Sequence, residues 1–353
     1  MELAARVLEG VGGAVSAPAP LVNICISAYN AEQFLAETLR SVLGQTHRQI
    51  GVIVLDNGSV DGTFAVAQSF DDPRLQVHRV QDNLGAYQAM NRLAAMATAD
   101  YVAIYHADDV YEPTIVEREV GHLLANPSVG AVFCTDHLMD EDGHIYGGVS
   151  LHPSLAGRAS LSYDDVVRYL VRRKNTLFCC PTFMVRRDVF RDVGPFRPEI
   201  YGIGSDLEMY VRIARQYPVA ILDERLIRYR KGRHQWSARY RHERVEQDCF
   251  FHVMDEVLAR DGWREKLSAA DLIEYEFHRG DDATFRAANL VQKGDLGRAR
   301  DLLRRHPLPW RTFLMADLRR RKARTFALRA MIRGGLALHA TQPLTQVLAR
   351  LGP

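Results

Sequence analysis

The stretch YVAIYHADD, residues 101–109, runs from five apolar or aromatic residues into His106, Asp108 and Asp109. A short β-prone run that stops at paired carboxylates is typical of a buried strand whose carboxyl end faces a ligand crevice. Mg²⁺ and Mn²⁺ prefer oxygen ligands, so this pair suits a divalent cation that holds phosphate oxygens. An Asp-Asp pair is also common in turns and helix caps, and the interpretation therefore depends on the surrounding motifs.

Strand-like and helix-like segments alternate around this stretch. A capping box of Asn30 and Gln33 predicts where the first helix begins. The pattern is that of an open, doubly wound α/β sheet, which binds ligands outside the carboxyl ends of its strands. Further strands are expected at 129–134 and 181–185, and a helix at 206–214. The four leading strands are predicted at 21–27, 52–55, 75–80 and 101–105, with helices at 31–43, 63–70 and 85–98 between them.

Composition and charge are those of an ordinary globular protein. The chain has 353 residues, of which 47% are hydrophobic, and 45 lysines and arginines face 43 acidic residues. A formal net charge of +2 gives no indication of a nucleic-acid partner. We expect a flexible tail over 1–20, a catalytic domain over 21–238 and a helical region over 239–353. No apolar run approaches the roughly 20 residues of a membrane span, so a cytoplasmic protein is predicted.

Five cysteines form an odd set without a Cys-x-x-Cys pair. Buried thiols in a reducing compartment are the expected interpretation, with a redox or metal role for the adjacent Cys179 and Cys180 as the alternative.

The C-terminal third is charged and helix-prone. Residues 290–303 resemble one helix pair of a helical-repeat protein. A basic run at 319–322 leads into an amphipathic segment at 326–332. This segment either lies on an anionic membrane surface, on its inner face, or packs its apolar side on the rest of the protein with its arginines solvated.

The ordered motifs resemble the family-two glycosyltransferases of the GT-A fold over about residues 22–237. The resemblance implies a GT-A-type mixed sheet with a nucleotide-binding half and an acceptor half. It implies transfer of a sugar, with inversion, from a nucleotide diphosphate to an acceptor hydroxyl. The motifs are ISAYN (26–30), SVLGQT (41–46), VIVLDNGSVDGT (52–63), DNLGAYQAMN (82–91), YVAIYHADD (101–109), VGPF (193–196) and SDLEMYVR (205–212).

The resemblance also implies a donor site along the strand ends. Asp56 and Asn57 fall at the family's Asp-Asp pair, one member of which hydrogen-bonds the base. An amide both donates and accepts, so UDP-, dTDP- and GDP-sugars all remain candidate donors. The other residues implied to line the donor site are Ser27, Ala28, Tyr29, Glu32, Asn83, Gly85, Asn91, His106, Ala107 and Arg233.

Residues 106–109 align with the family's Asp-x-Asp element, which implies that Asp108 coordinates Mg²⁺ or Mn²⁺. His106 would contact ribose or phosphate, unless it is an ordinary hydrogen bonder at a strand end. His234 falls near the family's metal- or diphosphate-binding His, and either Arg230 or Arg233 would contact phosphate.

Asp206 matches the family's general base. A carboxylate with a reference pKa of about 3.9 is ionised at neutral pH and can take the hydroxyl proton during attack. Its position where a loop enters a helix also fits an N-cap.

The family resemblance constrains the acceptor and the oligomeric state less than the donor. A glycan, glycolipid or natural-product hydroxyl fits the resemblance, and a homodimer is compatible with it. The alternatives are a non-catalytic scaffold and a sugar nucleotidyltransferase, which usually needs a Gly-rich, basic phosphate loop that residues 25–30 lack. Retention of Asp108, Asp109 and Asp206 favours an enzyme over a scaffold.

Overall fold

A computed structural model describes residues 19–232, 243–314, 319–338, 343 and 345–348. The described residues form a nine-stranded mixed sheet with helices on both faces. Its strands are β1 (Val22–Ala28), β2 (Ile50–Asn57), β3 (Leu75–Val80), β4 (Tyr101–His106), β5 (Val110–Tyr111), β6 (Ala131–Met139), β7 (Ile145–Gly148), β8 (Phe183–Arg186) and β9 (Val219–Arg230). The order is β3-β2-β1-β4-β8-β6-β9-β5, and β7 pairs with β6.

The helices fill the connections and the C-terminal region. In chain order they are α1 (Leu35–Leu43), α2 (Thr63–Gln68), α3 (Ala86–Met96), α4 (Ile115–Ala125), α5 (Tyr163–Arg173), α6 (Arg187–Val193), α7 (Pro198–Tyr201), α8 (Ser205–Gln216), α9 (Cys249–Arg260), α10 (Trp263–Lys266), α11 (Ala269–Gln292), α12 (Leu296–Arg305) and α13 (Arg319–Ala337).

The first four strands are parallel, as the sequence predicts, and their carboxyl ends meet at one edge. Ser27 pairs with His106 between β1 and β4, and Ala28 pairs with Asp56 between β1 and β2. Strand β8 then runs antiparallel to β4 and continues the sheet into its second half. The mixed α/β architecture of a GT-A-type fold is confirmed.

The predicted capping box at Asn30 is wrong. Helix α1 begins at Leu35, and its N-cap residue Phe34 makes no side-chain cap. Asn30 instead has a left-handed φ of 49°. Its Oδ1 accepts a hydrogen bond of 3.0 Å from the amide of Val60. The side chain is therefore used to join two loops, a long-range partner that local spacing does not reveal.

The C-terminal helices share the core of the sheet. One hydrophobic cluster extends from Cys25 in β1 to Tyr275 in α11, and a separate cluster joins α11, α12 and α13. Helices α11 and α12 form the helical pair expected from the sequence. Among the described residues, no helix combines the length and the apolar character needed to span a bilayer.

Helix α13 packs on the protein, but its basic residues are not all solvated. Lys322 is buried in an ion pair with Glu274. Arg329 is also buried and donates to the carbonyl oxygens of Leu303 and His306. The expectation of solvated arginines is wrong at Arg329, because the last carbonyls of α12 lack intrahelical partners and accept these bonds.

The cysteines are free thiols. Cys25 and Cys134 are buried, and burial raises the pKa of the Cys25 thiol to about 12. A thiol with so high a pKa is unreactive at neutral pH, in line with the buried-thiol interpretation.

Candidate active site

Strand β4 delivers His106, Asp108 and Asp109 to the edge where the parallel strands end. One ligand atom from each lies within 4.8 Å of the others. Nδ1 of His106 is 3.7 Å from Oδ2 of Asp109. The paired carboxylates Asp108 and Asp109 lie at a strand end as predicted, and the structure brings His106 into the same cluster.

Hydroxyl groups fix the backbone of this loop. Oγ1 of Thr38 donates to the carbonyl oxygens of Ala107 and Asp109, at 3.0 and 2.8 Å. The phenol oxygen of Tyr111 accepts a 2.7 Å bond from the amide of His106. Because these bonds satisfy the main chain, the side chains of the loop are held in place before any ligand arrives.

The cluster has unused coordination capacity. Nε2 of His106 and Oδ2 of Asp109 are buried without a hydrogen-bond partner among the described residues. Burial lowers the pKa of the His106 imidazole. Burial also raises the pKa of the Asp109 carboxyl, and the negative charge of Asp108 raises it further. A neutral imidazole beside two carboxylates is a donor set that suits Mn²⁺ or Mg²⁺, so these residues fit the implied metal.

Arg230, at the end of β9, holds the loop at residues 106–109 through hydrogen bonds. Its Nε donates to the carbonyl oxygen of Asp108 and its amide to Oδ1 of Asp109, both at 2.8 Å. Its Nη2 pairs with Glu37 at 2.6 Å. Only 3% of Arg230 is exposed. The proposal that Arg230 contacts phosphate is therefore wrong, because its guanidinium is bound by the protein itself.

Asp56 and Asn57, at the end of β2, also bind their own chain. Oδ1 of Asp56 accepts from the amide of Ser59 at 3.1 Å, and Oδ2 pairs with Nε of Arg79 at 3.0 Å. Nδ2 of Asn57 donates to Oδ1 of Asn83, and Oδ1 of Asn57 accepts from the backbone amide of Leu84, both at 3.0 Å. These two residues thus hold the loops after β2 and β3.

Three other predicted donor-site residues occupy the same edge with different surroundings. Oε2 of Glu32 accepts from the amide of Gly62 at 2.9 Å and so joins two loops. Asn91 makes a double hydrogen bond with the backbone of Phe196, each of 2.9 Å. Tyr29 is 48% exposed, so its ring is open to a ligand.

The remaining predicted donor-site residues fall into two groups. Among those in the described part of the chain, Ser27 is half-buried, Ala28 and Ala107 are buried, and Asn83 and Gly85 are exposed. Arg233 and His234 lie outside the described residues.

Asp206 lies in the first turn of α8. The N-cap residue is Gly204, so the predicted cap at Asp206 is wrong. Burial raises the pKa of the Asp206 carboxyl to about 6, while hydrogen bonds from Tyr87 and Cys180 act in the opposite direction. The phenol of Tyr87 also donates to the carbonyl oxygen of Ile203 at 2.7 Å. Asp206 is therefore ionised at neutral pH, but by a smaller margin than its reference pKa implies.

Cys180 connects the two acidic groups. Its pKa is raised first by burial and then by the negative charges of Asp206 and Asp109. Both carboxyl groups therefore lie within electrostatic reach of one half-buried thiol, although Asp109 follows β4 and Asp206 lies in α8. No local pattern predicted the position of Cys180 or of Tyr87 beside Asp206.

Residues 23–194 match the family described as Glycosyl transferase family 2. An uncharacterized glycosyltransferase of Haemophilus influenzae is 26% identical over 240 residues, covering 64% of this chain and 70% of that protein. The putative teichuronic acid biosynthesis glycosyltransferase TuaG of Bacillus subtilis is 31% identical over 171 residues, covering 48% of this chain. The match spans 63% of TuaG, slightly less than two thirds of its length.

Two solved structures share the fold. TarS residues 1–349 of S. aureus, in complex with UDP-GlcNAc, aligns with a TM-score of 0.53 and 15% identity, over 80% of this chain and 88% of that one. The mannosyltransferase PcManGT from Pyrobaculum calidifontis, in complex with GDP-Man and Mn²⁺, aligns with a TM-score of 0.51 and 18% identity, over 94% and 84%.

Proposed function

We propose that this chain, whose residues 23–194 match glycosyl transferase family 2, is a glycosyltransferase that moves a sugar, with inversion, from a nucleotide diphosphate to an acceptor hydroxyl. The observation that carries the proposal is the cluster of His106, Asp108 and Asp109 at the carboxyl end of β4. Its partnerless buried atoms are the kind of groups that a bound cation would satisfy.

The cluster is proposed to hold Mg²⁺ or Mn²⁺, with Asp108 as a principal ligand. A cation at this position would neutralise charge on the departing diphosphate. PcManGT, which was solved with GDP-Man and Mn²⁺, and TarS, which was solved with UDP-GlcNAc, support a nucleotide-sugar donor. Ser27, Tyr29 and Asn83 are proposed to line the donor site.

Asp206 is proposed as the general base. A carboxyl group with a pKa of about 6 is mostly ionised at neutral pH. It is also a stronger proton acceptor than an ordinary aspartate, because a raised pKa means a more basic carboxylate. Taking the proton from the acceptor hydroxyl would let that oxygen attack the sugar from the face opposite the leaving diphosphate.

The acceptor is proposed to be a hydroxyl of a glycan, with glycolipid and natural-product hydroxyls as alternatives. The name of TuaG, which refers to teichuronic acid biosynthesis, supports a polysaccharide. We also propose a cytoplasmic enzyme whose helical region, residues 239–353, contacts the inner face of a membrane, and a homodimer as its assembly. Helix α13 has seven basic residues and no acidic one, and those other than the buried Lys322 and Arg329 support the membrane contact.

A thermal-shift screen tests the donor half of the proposal. UDP, dTDP, GDP and their sugars are added with and without Mn²⁺ to the wild type, Asp108→Ala and the control Asp142→Ala. Asp142 belongs to a second acidic cluster, with Asp140 and His144, in the turn between β6 and β7. A ligand at 100-fold excess over its dissociation constant should stabilise the folded protein by about 2.7 kcal/mol.

The expected result is stabilisation by one nucleotide that requires Mn²⁺, is lost in Asp108→Ala and is retained in Asp142→Ala. The absence of any nucleotide response would contradict the proposal and favour the non-catalytic scaffold.

A further inference from the structure

A cavity of about 230 Å³ lies between α12 and α13, away from the candidate active site. Its walls combine three arginines with three apolar residues: Arg300, Leu303 and Arg304 from α12, and Arg333, Leu336 and Ala337 from α13. The helices are antiparallel here, because Arg300 contacts Leu336 and Arg333 contacts Leu303. The groove between them is therefore cationic at its rim and apolar at its base.

The arginines at the rim keep most of their hydrogen-bonding capacity. Arg300 donates to the carbonyl oxygen of Leu336 at 2.8 Å, and Arg333 donates to that of Leu303 at 3.1 Å. Neither has a carboxylate partner within the described part of the chain. A guanidinium has five N–H donors in a planar fork that matches phosphate oxygens, so each can bind an anion while keeping its contact with the protein.

The single acid of α12, Asp301, pairs with Arg304 and Arg305, both at 2.7 Å, and leaves Arg300 and Arg333 without a carboxylate partner among the described residues. Beneath the rim, Arg329 is buried and its contacts are to carbonyl and hydroxyl oxygens. Burial lowers the pKa of Arg329 to about 10, and the nearby charge of Arg333 contributes. The groove thus contains mutually repelling cations that a bound anion would relieve.

We propose that the groove binds the phosphate head group of an anionic membrane lipid. Charge complementarity identifies the phosphate, and the apolar surface identifies the lipid. Leu303 and Leu336 are buried under the arginines, whereas Leu338, just past the end of α13, is 79% exposed. An acyl chain can cover the exposed side chain of Leu338, which a free phosphate cannot. The proposal deepens the membrane contact proposed above and is independent of the roles of Asp108 and Asp206.

Vesicle co-sedimentation tests the proposal with the full chain. Vesicles of phosphatidylcholine alone are compared with vesicles of equal parts phosphatidylcholine and phosphatidylglycerol. The test variant is Arg300→Glu/Arg333→Glu, and the control is Arg324→Glu. Arg324 is exposed on α13 nine residues before Arg333, which is about two and a half turns and so places it on the opposite face.

We expect the wild type and the control to bind the anionic vesicles with similar affinity. The double variant should bind roughly 30-fold more weakly, since each basic residue near an anionic surface contributes about fivefold to binding. A single Arg304→Glu variant, whose side chain is 81% exposed, should weaken binding without affecting folding. Circular dichroism melts of all variants identify any that are unfolded.

Several outcomes would overturn the proposal. They are failure of the wild type to bind anionic vesicles, equal binding to neutral vesicles, and equal loss in the Arg324→Glu control. Retained binding to anionic vesicles in both Arg304→Glu and the folded double variant would also overturn the proposal. Stabilisation of the wild type by inorganic phosphate without vesicle binding would identify a site for free phosphate instead.

Discussion

The loops after β2 and β4 lie at the same edge of the sheet and both begin with acidic or amide residues, yet they use them differently. Asp56 and Asn57 direct their polar atoms at backbone groups and Arg79. His106 and Asp109 keep buried polar atoms without partners in the described part of the chain. Oδ2 of Asp56 also lacks a hydrogen bond among the described residues, but Arg79 lies 3.0 Å from it and neutralises its charge. The first loop is thus compensated by the protein itself, whereas the second has buried polar atoms that a ligand would satisfy.

This difference teaches that a motif residue either builds the site or reacts within it. The partners of the side chain distinguish the two, whereas residue type does not. Asp56 and Asp109 are both buried aspartates, but only Asp56 has an arginine 3.0 Å from its second oxygen. The predictions below test this division by removing groups of each kind.

The largest effect is expected from Asp206→Asn. An amide cannot accept the hydroxyl proton, so the rate of sugar transfer should fall by about 10³-fold. Donor-induced stabilisation should be retained. Single-turnover assays with the donor identified by the thermal screen measure the rate. A variant that keeps a tenth or more of the wild-type rate would place Asp206 outside the reacting groups.

The same variant should be more stable than the wild type at neutral pH. The pKa of Asp206 is raised to about 6 in the folded protein, from 3.8. The folded state therefore binds more protons between these values, and its stability falls as the pH rises from about 4 to about 6. Because some of the side chain touches solvent, we expect Asn to recover about 2 kcal/mol at pH 7 and little at pH 4. Equal gains in stability at pH 4 and pH 7 would argue against a buried carboxyl with a raised pKa at position 206.

A change in a building residue should affect stability more than chemistry. Asn57→Ala leaves the amide of Leu84 without its partner and removes one of the two hydrogen bonds to Oδ1 of Asn83, and should destabilise the protein by about 2 kcal/mol. The neighbouring, exposed Asp82→Ala should change it by less than about 0.5 kcal/mol. Urea denaturation measures both. Comparable values for the two variants would remove the distinction between the loops.

The smallest effect is expected from Tyr87→Phe. Its hydroxyl helps to keep Asp206 ionised, so removing it should raise the pKa of Asp206 further. The acidic limb of the pH–rate profile should move to higher pH, with about a threefold loss at pH 6.5 and little loss at pH 8.5. A uniform loss at every pH would indicate a structural role only.

The sequence predicted the parallel strands and the edge where their polar ends meet, because apolar runs and the residues that stop them are local features. It mispredicted Asn30 and Asp206 as helix caps, since the partner of Asn30 is 30 residues away and Gly204 caps α8. The raised pKa of Asp206 also depends on burial by distant segments, which spacing cannot report. Arg230 was one of two residues predicted to contact phosphate, and its partners Asp108 and Glu37 are too distant in the sequence for local patterns to reveal.

Arg230 has a further consequence for how this protein can diverge. Its Nη1 donates to the main-chain carbonyls of Asp140 and Glu141, in the turn between β6 and β7. Every amino acid presents a carbonyl oxygen, so substitutions in this turn leave the anchorage intact as long as the backbone path is kept. Substitutions that keep the backbone path of this turn should therefore leave the support of the acidic loop intact, whereas a substitution of Arg230 would remove it.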